Sequence, residues 1–112
     1  MVKKFRCKSC LYIHQGEEPP LLCPKCGAPR EQFEEIPENL SKLIDRSNYT
    51  NGLLIKSCDL IDKLQELSIK GIDDNLDPGC LYIFRHMNEI TKILKSMILA
   101  EIHTHTQKGK WG

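Results

Sequence analysis

Four cysteines near the N-terminus have the residue type and spacing to hold a metal ion. Cys7-Lys8-Ser9-Cys10 is followed, after twelve residues, by Cys23-Pro24-Lys25-Cys26. Two residues between the cysteines let each pair form a tight turn with both sulfurs facing one point. Twelve residues are enough for a hairpin that returns the second pair to the first. The chemistry implied is one tetrahedral site with Cys7, Cys10, Cys23 and Cys26 as thiolate ligands. Four thiolates suit iron and zinc alike, so the spacing leaves the metal open. A purely structural staple is one reading of it. The two turns differ at one place. Gly27, after Cys26, can take positive φ and aim backbone N–H groups at sulfur. The matching residue after Cys10 is Leu11, for which positive φ costs on the order of 1 kcal/mol or more. Either Leu11 carries that strain or the first turn has another shape. His14 reads as a surface residue, because four thiolates already complete the shell.

Other side chains with chemistry to offer lie further along. Cys58 falls on an apolar helical face and reads as a small buried hydrophobe. Cys80 falls in the first turn of a helix, where the helix field lowers a thiol pKa, so a reactive thiol is one expectation. His86, Glu89, Glu101, His103 and His105 crowd the last helix and are weighed as ligands of a second metal. A di-iron site in a helical bundle uses Glu-x-x-His, but Glu89 is followed at the third place by Lys92 and Glu101 by Thr104. His86-x-x-Glu89 has the reverse order, and Glu101 and His105 share a face at four-residue spacing. The plainer reading is a hydrogen bond within the helix and a solvated, histidine-rich end.

Residues 3–36, KKFRCKSCLYIHQGEEPPLLCPKCGAPREQFEEI, resemble the short rubredoxin-like domain of the rubrerythrins. That family pattern has an aromatic or basic start, C-x-x-C-G-Y, a hairpin with G-E-E-x-P, then C-P-x-C-G-A-P and a Phe a few residues on. Here Phe5, Cys7, Cys10, Tyr12, Gly16, Glu17, Glu18, Pro20, Cys23, Pro24, Cys26, Gly27, Ala28, Pro29 and Phe33 stand at the corresponding places. Leu11 departs from it, where the family usually has glycine. The resemblance covers about a third of the chain. It implies a mononuclear centre with the four cysteines as ligands and one iron ion in the working form, with zinc able to stand in its place. It says nothing about residues 37–112.

The elements that must position these groups follow from composition and pattern. The chain has 112 residues and a net charge of +1. Residues 1–36 carry six basic and five acidic side chains, and residues 37–112 carry ten of each. Neither part has the basic surplus of a nucleic-acid binder. No stretch approaches the roughly twenty apolar residues of a membrane span, and no apolar run follows the opening charges. Free C-x-x-C pairs then point to a cytoplasmic location and to metal rather than disulfides. Leu11-Tyr12-Ile13 is a β-prone triplet, and Gln15-Gly16 with Pro19-Pro20 bends the chain back. Phe5, Tyr12, Ile13 and Phe33 are expected around the sulfurs. About thirty-five residues bury too little to fold alone, so metal should supply much of this lobe's stability.

Pro37 suits a first helical position with acids around it. Asn48-Tyr49-Thr50-Asn51-Gly52 is poor helix material, and the sequence does not decide whether a helix passes through it. Leu53, Leu54, Ser57, Cys58, Ile61, Leu64, Gln65 and Leu67 then mark one buried face. Lys70-Gly71 reads as a C-terminal signal, and Asp77-Pro78 opens the last helix. Ile83, Met87, Ile90, Ile93, Leu94, Met97, Ile98 and Ile102 keep helical spacing, and one partner helix covers only one side of them. Trp111 lies on a tail expected to fray unless it docks.

The fold expected is α-rich with a small β/metal lobe: a rubredoxin-like, zinc-ribbon-like domain over 1–36 and a long antiparallel helical hairpin or bundle over 37–112. The expected function is one-electron transfer through iron at Cys7, Cys10, Cys23 and Cys26, as an electron carrier rather than a stand-alone enzyme. Lys8 and Lys25 would guide an acidic redox partner protein. The alternatives are a structural zinc ribbon presenting a helical interaction module, or a rubrerythrin-related peroxide- or iron-handling protein. The apolar excess on the last helix leads to the expectation of a homodimer joined through the helices, with no nucleic-acid or membrane partner.

Overall fold

The structure is a computed structural model and describes residues 2–111. Three short strands, β1 (Lys3–Cys7), β2 (Ile13–Gly16) and β3 (Phe33–Glu35), precede two long helices, α1 (Glu38–Asp74) and α2 (Pro78–Gln107). A single 3-10 turn, Arg30–Gln32, leads into β3. The chain divides into two compact units. One runs up to Asn48 and includes the residues from Gly109 onward; the other is Tyr49–Lys108.

In the first unit the strands form one antiparallel sheet in the order β2-β1-β3. Phe5 pairs with His14 on one side and Glu35 on the other, and Cys7 pairs with Phe33. The β-prone triplet therefore contributes Ile13 to a strand, while Leu11 and Tyr12 belong to the turn before it. Phe5 and Cys7 alternate onto one buried face of β1. Lys4, on the other face, is buried too. Its ammonium donates to Ser41 Oγ at 2.8 Å and pairs with Asp45 at 2.9 Å, tying β1 to the first turns of α1. Ile36 and Ile44 complete the buried apolar set of this unit with Cys23. The carbonyl of Pro37 accepts from the Ser41 N–H at 2.8 Å, so the proline stands just before the first helical residue rather than on it. At the far end of the sequence the chain docks: Arg6 Nη2 donates to the Gly109 carbonyl at 3.4 Å. Gly109 turns there with φ +71°.

The second unit is a helical hairpin. α1 passes through Asn48–Gly52 without a break. Tertiary support overrides weak propensity there, because buried Asn51 places Oδ1 2.5 Å from His105 Nδ1 of α2. α1 also continues through Lys70-Gly71 to Asp74, so Gly71 is not a cap. Its role is close approach: a methyl group at Gly71 would overlap the Phe84 ring of α2. The cap falls to Asn75, which takes φ +47° and donates its N–H to the Gly71 carbonyl at 3.2 Å. Asp77 then caps α2 by accepting from the Cys80 N–H at 2.8 Å, with Pro78 in the first turn.

Cross-helix contacts run antiparallel: Asn51 with His105, Asp62 with Lys95, Ser68 with Asn88, and Gly71 with Phe84. The seam they define differs from the one expected. Its fully buried members are Asn51, Ile61 and Ser68 on α1 and Thr91, Ile98 and His105 on α2, four of the six polar. Leu53, Leu64 and Leu67, placed on the buried face by their spacing, are exposed. The apolar arc of α1 is wider than one partner helix covers, and the contact line includes polar groups: Asn51 meets His105, while Ser68 and Thr91 donate to carbonyls of their own helices. Neither helix is long and apolar enough to cross a membrane.

Candidate metal centre

Each cysteine pair sits in a turn built by the same hydrogen bonds. Leu11 N–H donates to the Cys7 carbonyl at 2.8 Å, and Gly27 N–H to the Cys23 carbonyl at 2.8 Å. Cys7 N–H donates to the Tyr12 carbonyl and Cys23 N–H to the Ala28 carbonyl, again at 2.8 Å. The two turns therefore have one shape, and both residues after the second cysteine adopt left-handed backbone. Gly27 has φ +77° and Leu11 has φ +69°. Leu11 carries the strain, with its side chain exposed. The sheet sets the first turn at the end of β1, and an isolated bridge between Leu22 and Pro29 closes the loop around the second.

These turns bring the sulfurs of Cys7, Cys10, Cys23 and Cys26 within 4.8 Å of one another. Cys7 Sγ lies 3.7 Å from Cys26 Sγ, and Cys10 Sγ lies 3.6 Å from Cys23 Sγ. Both separations are far beyond a disulfide, about 2.05 Å. They fit a tetrahedral edge instead: metal–sulfur bonds of about 2.3 Å require sulfurs about 3.8 Å apart. The donor set, four soft thiolates and no water-bearing position, suits iron or zinc and closes the shell. Burial is graded across the cluster. Cys7 and Cys23 are buried, Cys10 is half-buried, and Cys26 is exposed.

Backbone dipoles converge on the sulfurs. Burial raises the Cys7 thiol, but the N–H groups of Cys10 and Ser9 outweigh it and leave the pKa lowered. Burial likewise raises Cys23, and the N–H groups of Cys26 and Lys25 bring it down to about 7. Cys10 is pushed up to about 12 by burial and the neighbouring sulfurs, against the Tyr12 N–H. The Ala28 N–H lowers Cys26, yet burial and the sulfurs of Cys23 and Cys7 leave it raised. Four thiolates held this close repel one another, so without a cation they share protons. A bound cation replaces those protons and keeps all four anionic.

Around the sulfurs, Tyr12 and Phe33 meet edge to face with centroids 6.5 Å apart, and Phe5 is buried. Lys25 Nζ donates to the Cys10 carbonyl at 3.4 Å, while Lys8 is exposed. His14 is half-buried beside Tyr12, with ring centroids 6.4 Å apart, and is outside the sulfur cluster. Among the described residues the four cysteines form the one cluster of metal-ligand type. His86 stacks on Tyr82 at 5.7 Å, and Glu89 and His103 are exposed. Glu101 pairs with His105 at 3.1 Å, and His105 is buried against Asn51 rather than solvated. Cys58 is half-buried. Cys80 departs from expectation. Its thiol faces the Asp77 carboxylate at 3.6 Å, and that hydrogen bond and charge raise its pKa. The Lys4–Asp45 pair had no sequence signal, because a strand lysine is exposed by default.

Comparison with known proteins bears on the first part of the chain. Residues 5–34 match the family model of the rubrerythrin, rubredoxin-like domain. Reverse rubrerythrin-1 of Clostridium acetobutylicum is 49% identical over 35 residues, covering 31% of this chain and 19% of that protein. The rubrerythrin of Nitratidesulfovibrio vulgaris is 48% identical over 31 residues, covering 28% of this chain and 16% of its own length. The chain thus spans less than a fifth of either relative. No solved structure gives a significant match. Segment 5–34, with its four cysteines brought together, is similar to the rubredoxin-like domain of the rubrerythrins, and the remainder of the chain is helical.

Proposed function

We propose that the four cysteines hold one iron ion and that the protein is a one-electron carrier. The observation that carries this reading is the exposed edge of the cluster: Cys7 and Cys23 are buried while Cys26 faces solvent. A staple has no need to show a ligand to solvent, whereas electron exchange needs a short path from ligand sulfur to the surface. Iron in such a site supplies a ferric/ferrous couple within one tetrahedral thiolate shell, so little reorganisation accompanies the change of charge. The chain's own part is electrostatic and steric. The N–H groups of Ser9, Cys10, Tyr12, Lys25, Cys26 and Ala28 point at sulfur and stabilise its negative charge. Phe5, Tyr12 and Phe33 keep water from the inner side, and Lys8 and Lys25 present positive charge near the exposed edge to an acidic redox partner.

Similarity to the rubrerythrins supports iron, while the donor set alone also admits zinc. The test is protein purified without oxygen from iron-replete cells and then exposed to air. The expected product is red, holds one iron per chain and bleaches on reduction. A colourless protein with one zinc per chain sinks the electron-transfer reading and leaves a zinc ribbon that supports the helices. Peroxide or iron handling by a second metal site has no cluster of ligands to rest on among the described residues.

A further inference from the structure

We infer that the hairpin Tyr49–Lys108 docks on a second copy of this chain, through one specific side, to form a four-helix bundle. The inference is independent of which metal the cysteines hold. It begins with what the hairpin lacks. Among its described residues, Ile61 and Ile98 are the buried hydrophobics, while Leu54, Ile72, Leu81, Phe84, Met87 and Ile102 are only half-buried. A hairpin with two buried aliphatics leaves many of its large apolar side chains exposed.

A second stripe runs beside the polar seam on each helix. On α1 it comprises Leu53, Leu60, Leu64 and Leu67, all exposed. On α2 it comprises Ile83, Met87, Ile90, Leu94 and Met97, of which Met87 is half-buried and the others exposed. On α2 the gaps are four and three; on α1 they are seven, four and three, with Lys56 and Ser57 at the skipped place. Each position stands one residue before a buried or half-buried position: Leu60 before Ile61, Leu67 before Ser68, Ile90 before Thr91, Met97 before Ile98. One residue is about 100° around a helix axis. Because α1 and α2 run antiparallel, the same backward step rotates their stripes to the same side of the hairpin. Helices that show two stripes about a right angle apart suit a four-helix bundle, where each helix has two neighbours.

The face identifies its occupant. Both stripes lie on one side, so two hairpins meet on identical surfaces about a two-fold axis. Between Ile83 and Met97 the α2 stripe carries no charged residue; on α1 Lys56 and Lys63 stand three residues after Leu53 and Leu60 and border the stripe. The opposite side carries exposed Asp62, Glu66, Arg85, Glu89 and Lys92. Eight exposed aliphatic side chains, each roughly half accessible, leave on the order of 800 Å² per chain, which is what each partner of a stable complex contributes. Contiguous apolar area of that size is unusual on a soluble monomer.

Sedimentation of the metal-loaded full chain tests this. The expected mass is twice the 12.9 kDa of one chain at micromolar concentration. Leu64→Ala and Met97→Ala should each weaken the dimer about tenfold or more, since each substitution occurs twice in the contact. Ile55→Ala and Leu99→Ala, equally exposed on the charged side, should leave it unchanged. These truncations lie on the monomer's surface and keep it folded, which circular dichroism checks. A mass of 12.9 kDa, an assembly larger than two chains, or a dimer sensitive to Ile55 and Leu99 but not to Leu64 and Met97 overturns the inference.

Discussion

Two glycines of α1 should respond in opposite ways to the same substitution. Gly52 and Gly71 both lie inside the helix. Replacing a helical glycine by alanine stabilises by about 0.8–1.0 kcal/mol when nothing else changes. At Gly52 a methyl group meets nothing within 4 Å, so Gly52→Ala should deliver that gain. At Gly71 the methyl would overlap Phe84 at Cδ2, Cγ and Cε2, which includes the ring atom nearest the backbone. The ring cannot swing clear without leaving its rotamer, or the helices must separate. Overpacking of this kind costs typically 1–3 kcal/mol. The propensity gain is common to both variants, so the difference between them isolates the overlap at about 1–3 kcal/mol. For a domain of this size each kcal/mol moves the thermal midpoint by about 4–8 °C. Gly52→Ala should melt several degrees above the parent and Gly71→Ala at or below it, followed by helical circular dichroism at one protein concentration. Pairing Gly71→Ala with Phe84→Leu should recover stability beyond the sum of the single changes. Equal stabilisation by both alanines would show that Phe84 does not pack over Gly71 and that the helices are further apart there.

Removing the metal with a chelator, or changing Cys23 to Ser, should unfold the cysteine lobe while most helical circular dichroism survives. Trp111, in the same compact unit, should then shift its emission to the red relative to the zinc-loaded parent; full loss of helix would show one cooperative unit. Gly27→Ala should speed metal release to a chelator and cost about 1 kcal/mol, because no side chain crowds it and the penalty is backbone strain alone. Leu11→Gly should slow release or leave it unchanged, and faster release would show that Leu11 is not strained. Cys80 should alkylate more slowly near pH 8 than an ordinary thiol, since Asp77 raises its pKa, and Asp77→Asn should speed it. The Cys80 N–H and thiol lower the Asp77 pKa. The cap's contribution is therefore present above the usual carboxylate pKa, about 3.9, and is lost as pH falls through the depressed value. A melting temperature unchanged by Asp77→Asn at pH 7 would remove the cap from that account.

How much of this was legible in the sequence depended on how local the cause was. The cysteine turns are local: spacing and Gly27 define the geometry, and the structure answers the one open question by giving Leu11 the same left-handed φ as Gly27. Asp77-Pro78 also acts within one turn, and it caps α2 as read. Gly71 was misread because a glycine late in a helix looks the same whether it ends the helix or admits a neighbouring ring. Only Phe84, thirteen residues on, decides between them. Asn51 was undecidable for the same reason, its mate His105 lying at the other end of the hairpin. The helical face was legible in part: Ile61 is buried and Leu54, Ser57, Cys58 and Gln65 are half-buried, while Leu53, Leu64 and Leu67 are exposed, because hydrophobicity marks what can be buried and one partner helix covers only part of the arc.

Polar residues take part of that contact, and geometry explains why. Buried Asn51 and His105 face each other, Asp62 pairs with Lys95 at the exposed edge, and Ser68, which donates to the Gln65 carbonyl of its own helix at 2.6 Å, lies 3.5 Å from Asn88 Oδ1. Sliding α2 by one turn would part Asn51 from His105, at about 1–3 kcal/mol for a buried group left unsatisfied, and break the surface Asp62–Lys95 pair at about 1 kcal/mol or less. Among the described residues no buried side-chain polar atom lacks a partner in the observed register. A leucine seam has no such preference, since one aliphatic contact replaces another after a slip. Polar pairs within the hairpin therefore fix its register, while the aliphatic stripes supply area where area alone is needed. A hairpin with the stripes exchanged, leucine inside and polar pairs outside, would bury more surface as a single chain. It would also lose the Asn51–His105 contact that fixes its register.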